Sequence, residues 1–132
     1  MKIARVGLIA FVIFGIIAGV IILAGTYSYT GKGRLNAVEA SKKIKSGEIS
    51  TVIDVRSDLE WALGHYPTAR HIPITSFSDK NPRIQELLAQ SSGGILVYCN
   101  TGQRSRRGAE LLRSYGARVP VYYLVDSYSR LK

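Results

Sequence analysis

The chain has 132 residues and a formal net charge of +9, with one Cys and two His. That length holds one small domain. A single Cys excludes an intrachain disulfide, and one Cys with two scattered His excludes a protein-built zinc site. The Cys is therefore a buried hydrophobe, a stray thiol or a nucleophile, and the composition calls for no metal or other cofactor.

Residues 6–25, VGLIAFVIFGIIAGVIILAG, carry no charged or polar side chain. About 20 residues rising roughly 1.5 Å each cross the hydrocarbon core, so this run is expected to be one transmembrane helix. It is longer than the apolar region of a cleaved signal peptide, and a cut after Ala24 would put Ile22 where a small residue is needed. Residues 1–25 thus read as a single-pass anchor whose partner is the lipid bilayer, with Tyr27 and Tyr29 suited to the headgroup level. Lys32, Arg34, Lys42, Lys43 and Lys45 follow the run, against the α-amino group, Lys2 and Arg5 before it. The balance favours a domain facing the cytoplasm; the short basic start also fits the reverse orientation. Residues 26–132 keep all nine Asp and Glu and sixteen of the Lys and Arg, a charge of +7. No recognition signature accompanies that charge, so nucleic acid is not an expected partner.

Residues 26–34, TYSYTGKGR, have two glycines and no apolar periodicity, and read as a tether to a domain spanning 35–132. Asn36 and Glu39 form an N-cap with its reciprocal partner, opening a helix to about Ser46, with Gly47 as the stop. Its Lys42, Lys43 and Lys45 suit a solvated face, with attraction to anionic lipid as the other reading. Residues 51–55 are a β-branched strand, and Ser57 or Asp58 caps a short helix over 59–63 that Gly64 ends. A brief strand at 69–72 stops at Pro73. Asn81 and Pro82 supply a cap and an N1 proline ahead of a helix through 84–88. Residues 95–98 are a second buried strand. Gly108, Leu111, Leu112 and Tyr115 recur at helical spacing, with Gly116 at the helix end, and 121–125 form a last strand. Strands alternating with helices predict an α/β domain, a mostly parallel sheet flanked by helices and preceded by the transmembrane helix.

Chemistry in such a sheet sits at the carboxyl ends of the strands, and Cys99 stands there. Cys99-Asn100-Thr101-Gly102-Gln103-Arg104-Ser105 joins the strand to the next helix. A tight loop feeding a helix N-terminus aims several amides at one spot, and the dipole adds positive potential. Gly102 permits the curl. Cys99 should lose its proton readily in that field and in the presence of Arg104, and the thiolate is the nucleophile.

Three stretches in order resemble one family. Val52-Ile53-Asp54-Val55-Arg56 resembles the Asp-Val-Arg strand of the rhodanese-like sulfurtransferases. Glu60-Trp61-Ala62-Leu63-Gly64-His65, with Ala69, His71, Ile72 and Pro73 after it, looks like their second signature. Cys99 to Ser105 is similar to their active-site loop, and the match covers residues 36–128. The resemblance implies that Cys99 carries a persulfide, and that the amides of Asn100, Thr101, Gly102, Gln103 and Ser105 cradle substrate. It also implies that Arg104 closes the loop and helps to bind an anionic donor such as thiosulfate. The acceptor would be a thiol, cyanide or an acceptor protein, with no cofactor. A related phosphatase and arsenate-reductase branch has five residues between Cys and Arg; the four here favour sulfur transfer. Asp54 and Arg56 are expected to be structural, Glu60 to pair with a basic group and Trp61 to lie in the core. His65 reads as a hydrogen-bonded turn residue, and His71 as having no partner for a dyad. The sequence departs from the family after the last strand, where Asp126-Ser127-Tyr128 replaces the usual Gly-Gly and short helix. An acidic Asp126 beside the anion site and a more open pocket follow, which leaves a membrane-tethered binding or regulatory module with little turnover as the alternative.

Overall fold

The chain runs β1 (Arg34–Leu35), α1 (Ala37–Lys45), β2 (Ile49–Asp54), α2 (Asp58–Leu63), β3 (Arg70–His71), α3 (Pro82–Gln90), β4 (Gly94–Tyr98), α4 (Gln103–Ser114) and β5 (Val121–Leu124). Single 3-10 turns stand at Ile74–Ser76 and Tyr128–Arg130. The computed structural model describes residues 32–132; the span expected at 6–25 and most of the tether expected at 26–34 lie outside the described residues. Among the described residues no helix is long and apolar enough to cross a membrane.

The strands pair in parallel in the order β1-β5-β4-β2-β3. β4, GILVY, lies at the centre and is buried along its whole length, as expected of a strand covered on both faces. Alternation along it divides the core. Ile95, Val97 and Cys99 face Ile84 and Leu87 of α3 and Ala109 and Leu112 of α4, whereas Leu96 and Tyr98 face Ala37 and Ala40 of α1. Gly108 lets α4 approach closely, since a Cβ there would stand 3.2 Å from Val97 Cγ1.

The helix starts follow their local chemistry. Asn36 Oδ1 accepts the Glu39 amide at 2.9 Å and Glu39 Oε2 accepts the Asn36 amide at 3.0 Å, closing the expected capping box. Asn81 caps α3 with Pro82 at its first turn. The cap of α2 is Ser57. The structure departs from the sequence reading at several places. Arg34, assigned there to the tether, pairs with Tyr123 in β1; a two-residue edge strand shows no periodicity. β2 begins at Ile49, across an irregularity in its pairing with β4. The C-terminal region is not bare, because the Tyr128–Arg130 turn lays Tyr128 against Tyr98 at 5.2 Å between ring centroids.

Beneath β2, Asp54 and Arg56 form a fully buried pair. Arg56 Nη2 donates to Asp54 Oδ2 at 2.7 Å and to the Gly64 carbonyl at 2.6 Å. The Arg56 guanidinium also lies 4.6 Å from the centroid of the Tyr128 ring. The structural role expected of this pair is what the geometry displays: it joins β2 to the end of α2 and to the C-terminal turn.

Candidate active site

Cys99 directly follows β4, and the chain turns from it into α4 through Gly102, whose φ of 90° is left-handed. A Cβ at that position would be strained by φ and would stand 3.3 Å from Val125 Cα. The turn brings the Gly102 amide to 3.1 Å and the Ser105 amide to 3.4 Å from Cys99 Sγ, with Ser105 Oγ at 3.5 Å. Ser105 is itself held under the loop, its hydroxyl within 3.0 Å of the Gly102 carbonyl and 3.1 Å of the Leu124 carbonyl.

Cys99 is 1% exposed and belongs to the core as well as to the loop. Burial pushes its thiol up; the Ser105 hydroxyl and the amides of Ser105, Gly102 and Thr101 outweigh burial, and the net direction is down. The Ser105 hydroxyl, followed by the loop amides, supplies this activation. Alkylation of Cys99 by iodoacetamide should therefore show a midpoint below the unperturbed value of about 8.5. A midpoint at or above that value would return Cys99 to the inert, buried class.

Arg104 does not reach across an empty anion pocket. Its Nη1 and Nη2 donate to Glu60 Oε1 and Oε2 at 2.7 and 2.9 Å, a bidentate pair. Asn100 Nδ2 donates to the same carboxylate at 2.6 Å, and the Ser57 hydroxyl to its other oxygen at 2.9 Å. One carboxylate at the start of α2 thus holds residues 100 and 104, near both ends of the loop. The Arg104 guanidinium, ahead of opposing desolvation, holds Glu60 at a pKa of about 2. The value is depressed, so whatever the pair adds to stability is present above the unfolded carboxylate range and is lost only as pH falls towards 2.

The loop residues take different parts. Thr101, Gly102 and Ser105 present amides to the sulfur, Asn100 turns its side chain to Glu60, and Gln103 opens α4 with its side chain exposed. Glu60 was expected only to find some basic partner; its tie to the loop is the site residue that the sequence reading missed. The signal was present in the cap: Ser57 and Glu60 form the box that starts α2, which aims the carboxylate.

Trp61 is not in the core. It is partly exposed and stacked between His65, at 3.4 Å, and His71, at 4.7 Å between ring centroids. α2 buries none of its residues, and its indole lies against the two imidazole rings. His65 Nδ1 bonds the Trp61 carbonyl at 2.9 Å, as a turn residue should. His71 Nε2 meets the Arg56 carbonyl at 2.7 Å, which is no dyad, and its Nδ1 stands 3.8 Å from Asp58 Oδ1.

Asp126 points away from the expected anion site. Its Oδ2 accepts the Ala37 amide at 2.7 Å, at the first turn of α1, where a free amide and the helix dipole both favour a carboxylate. A charge beside the anion site would make Asp126→Gly leave activity unchanged or raise it. The geometry instead predicts a stability loss of about 1 kcal/mol and no gain in activity, measurable by urea denaturation alongside turnover.

Known proteins resemble this chain in sequence and in fold. The tRNA uridine(34) hydroxylase of Erwinia tasmaniensis is 29% identical over 83 residues, 62% of this chain and 23% of that protein. An adenylyltransferase and sulfurtransferase of Zea mays is 27% identical over 85 residues, 63% of this chain and 18% of that protein. The chain therefore spans less than a quarter of either relative. A human single-domain sulfurtransferase has the same fold, with a TM-score of 0.56 at 22% identity over 76% of this chain and 95% of that one. Residues 36–132 match the rhodanese-like domain, and the chain belongs to the rhodanese-like domain family.

Proposed function

We propose that this domain transfers sulfane sulfur through a persulfide on Cys99, from a sulfane donor of the thiosulfate or persulfide class to a thiol or cyanide, and that residues 6–25 tether it to a membrane. The observation that carries the chemistry is the set of amides and the hydroxyl converging on Cys99 Sγ. In the first half-reaction the thiolate attacks the outer sulfur of the donor, the donor's S–S bond breaks, and sulfite or a thiolate leaves with the electron pair. In the second, an acceptor thiolate or cyanide attacks the outer sulfur of the Cys99 persulfide and the thiolate returns. The protein relatives of Zea mays and human origin bear the word sulfurtransferase in their names, which supports the reading.

The four residues between Cys99 and Arg104 speak for sulfur transfer over phosphate-ester hydrolysis, since by resemblance the phosphatase branch uses a longer loop. The test is mass spectrometry of the purified protein after thiosulfate or a persulfide, run beside hydrolysis of an aryl phosphate. One added sulfur on Cys99 is expected, with no phosphatase activity. Cys99-dependent hydrolysis with no persulfide from any donor would overturn the proposal. Neither activity from a folded protein that retains a partner would assign it as a binding module, the reading favoured by the near-complete burial of Cys99.

A further inference from the structure

Resting on that sulfur-transfer reading, we infer that the donor suited to this loop is a persulfide bearing at most one negative charge, and that Glu60 selects against dianionic thiosulfate. Between Cys99 and Ser105 the only charged side chain is that of Arg104. Both of its terminal nitrogens are bonded to Glu60, so the loop offers an incoming anion no open guanidinium fork. Glu60 is fixed in turn by Asn100 in front and by the Ser57 hydroxyl and amide behind, the last at 3.2 Å. Its negative charge therefore stays at the loop.

Two other arginines of the described residues are themselves paired. Arg56 is committed to Asp54 and the Gly64 carbonyl, and Arg106 to Glu110 at 3.2 Å. Arg107 is exposed, while the opposite face of α4, with Ser105, Gly108, Ala109 and Leu112, is buried. The Cys99 thiolate is stabilised by a hydroxyl and amides, which serve any donor equally. A dianion approaching Cys99 thus meets an Arg104–Glu60 ion pair of no net charge where an open cation would have drawn it in, an arrangement that discriminates by charge. A persulfide needs no cation: Cys99 S⁻ attacks the outer sulfur of R–S–SH, the donor's S–S bond breaks, RS⁻ leaves with its electron pair, and Cys99–S–SH forms with the proton retained.

The experiment measures loading of Cys99 by L-cysteine persulfide and by thiosulfate on the full chain, each rate normalised to that donor's reaction with free cysteine. Glu60→Gln keeps a capping-box residue but removes the charge, and Glu60→Asp keeps the charge. The normalised thiosulfate-to-persulfide ratio is expected to be below one in the unaltered protein. It should rise by about tenfold in Glu60→Gln, mainly through KM for thiosulfate, and remain low in Glu60→Asp. Thiosulfate loading in Glu60→Gln should also acquire a fall with rising salt that the unaltered protein lacks. A ratio of one or more in the unaltered protein, or one unmoved by Glu60→Gln, would overturn the inference while leaving sulfur transfer standing. No sulfur on Cys99 from either donor would remove the sulfur-transfer reading and this inference with it.

Discussion

Cys99→Ser should yield a folded domain that accepts no sulfane sulfur, with transfer falling to the uncatalysed background. Serine places an oxygen where the Gly102 and Ser105 amides converge, so those donors keep an acceptor and the fold should lose less than about 2 kcal/mol. What disappears is the chemistry. An alcohol in this loop does not ionise near neutral pH and forms no persulfide. The check is paired: turnover with thiosulfate and with a persulfide, and urea denaturation of the same protein. Residual turnover in the serine variant would place the sulfur-carrying group elsewhere. In a chain with one Cys, that would end the persulfide mechanism.

The largest expected effect on stability comes from Asp54→Ala. Asp54 is fully buried and accepts from the Arg56 amide, Nε and Nη2. Burial opposes the charge on Arg56, and the bonds to Asp54 overcome it. The carboxylate also bonds Tyr98, whose phenol is pushed up first by burial and then by that contact. Removing the carboxylate leaves a guanidinium that is 4% exposed without its counter-charge, an outcome that costs about 3–5 kcal/mol. A domain of this size has about 5–15 kcal/mol in all, so the variant should unfold at a much lower urea concentration with a similar slope. A shift under about 1 kcal/mol would mean that the Gly64 carbonyl and the Tyr98 and Tyr128 rings suffice for Arg56.

Local chemistry made much of this molecule readable before its fold was known. Capping residues at Asn36, Ser57 and Asn81, and stop signals at Gly47 and Gly64, are short-range instructions carried by neighbouring residues. The buried strand at 95–98 announced itself by an unbroken apolar run, and the loop after it by Cys, Gly and Arg at a recognisable spacing. The edge strand Arg34–Leu35 left no such mark, because two residues carry no period and their pairing partners are Tyr123 and Leu124. Trp61 was misread for a similar reason. An aromatic residue on a short helix is apolar in composition, but whether it is covered depends on what packs there, and here two histidine rings stack on it and leave it partly exposed.

Asp126 and Glu60 show the same division at the site. Both are carboxylates, and the sequence reading has Asp126 disturb the anion loop and Glu60 pair with a basic group. The tertiary structure gives each a definite partner. Asp126 lies 89 positions from the amide of Ala37, and Glu60 lies 44 positions from Arg104. A propensity, a cap or a turn is set by interactions within a few residues, so the linear order of amino acids is enough to specify it. A charge is defined by what surrounds it, and in this protein those surroundings are assembled only when the parallel sheet brings the starts of α1 and α2 to the ends of β5 and β4.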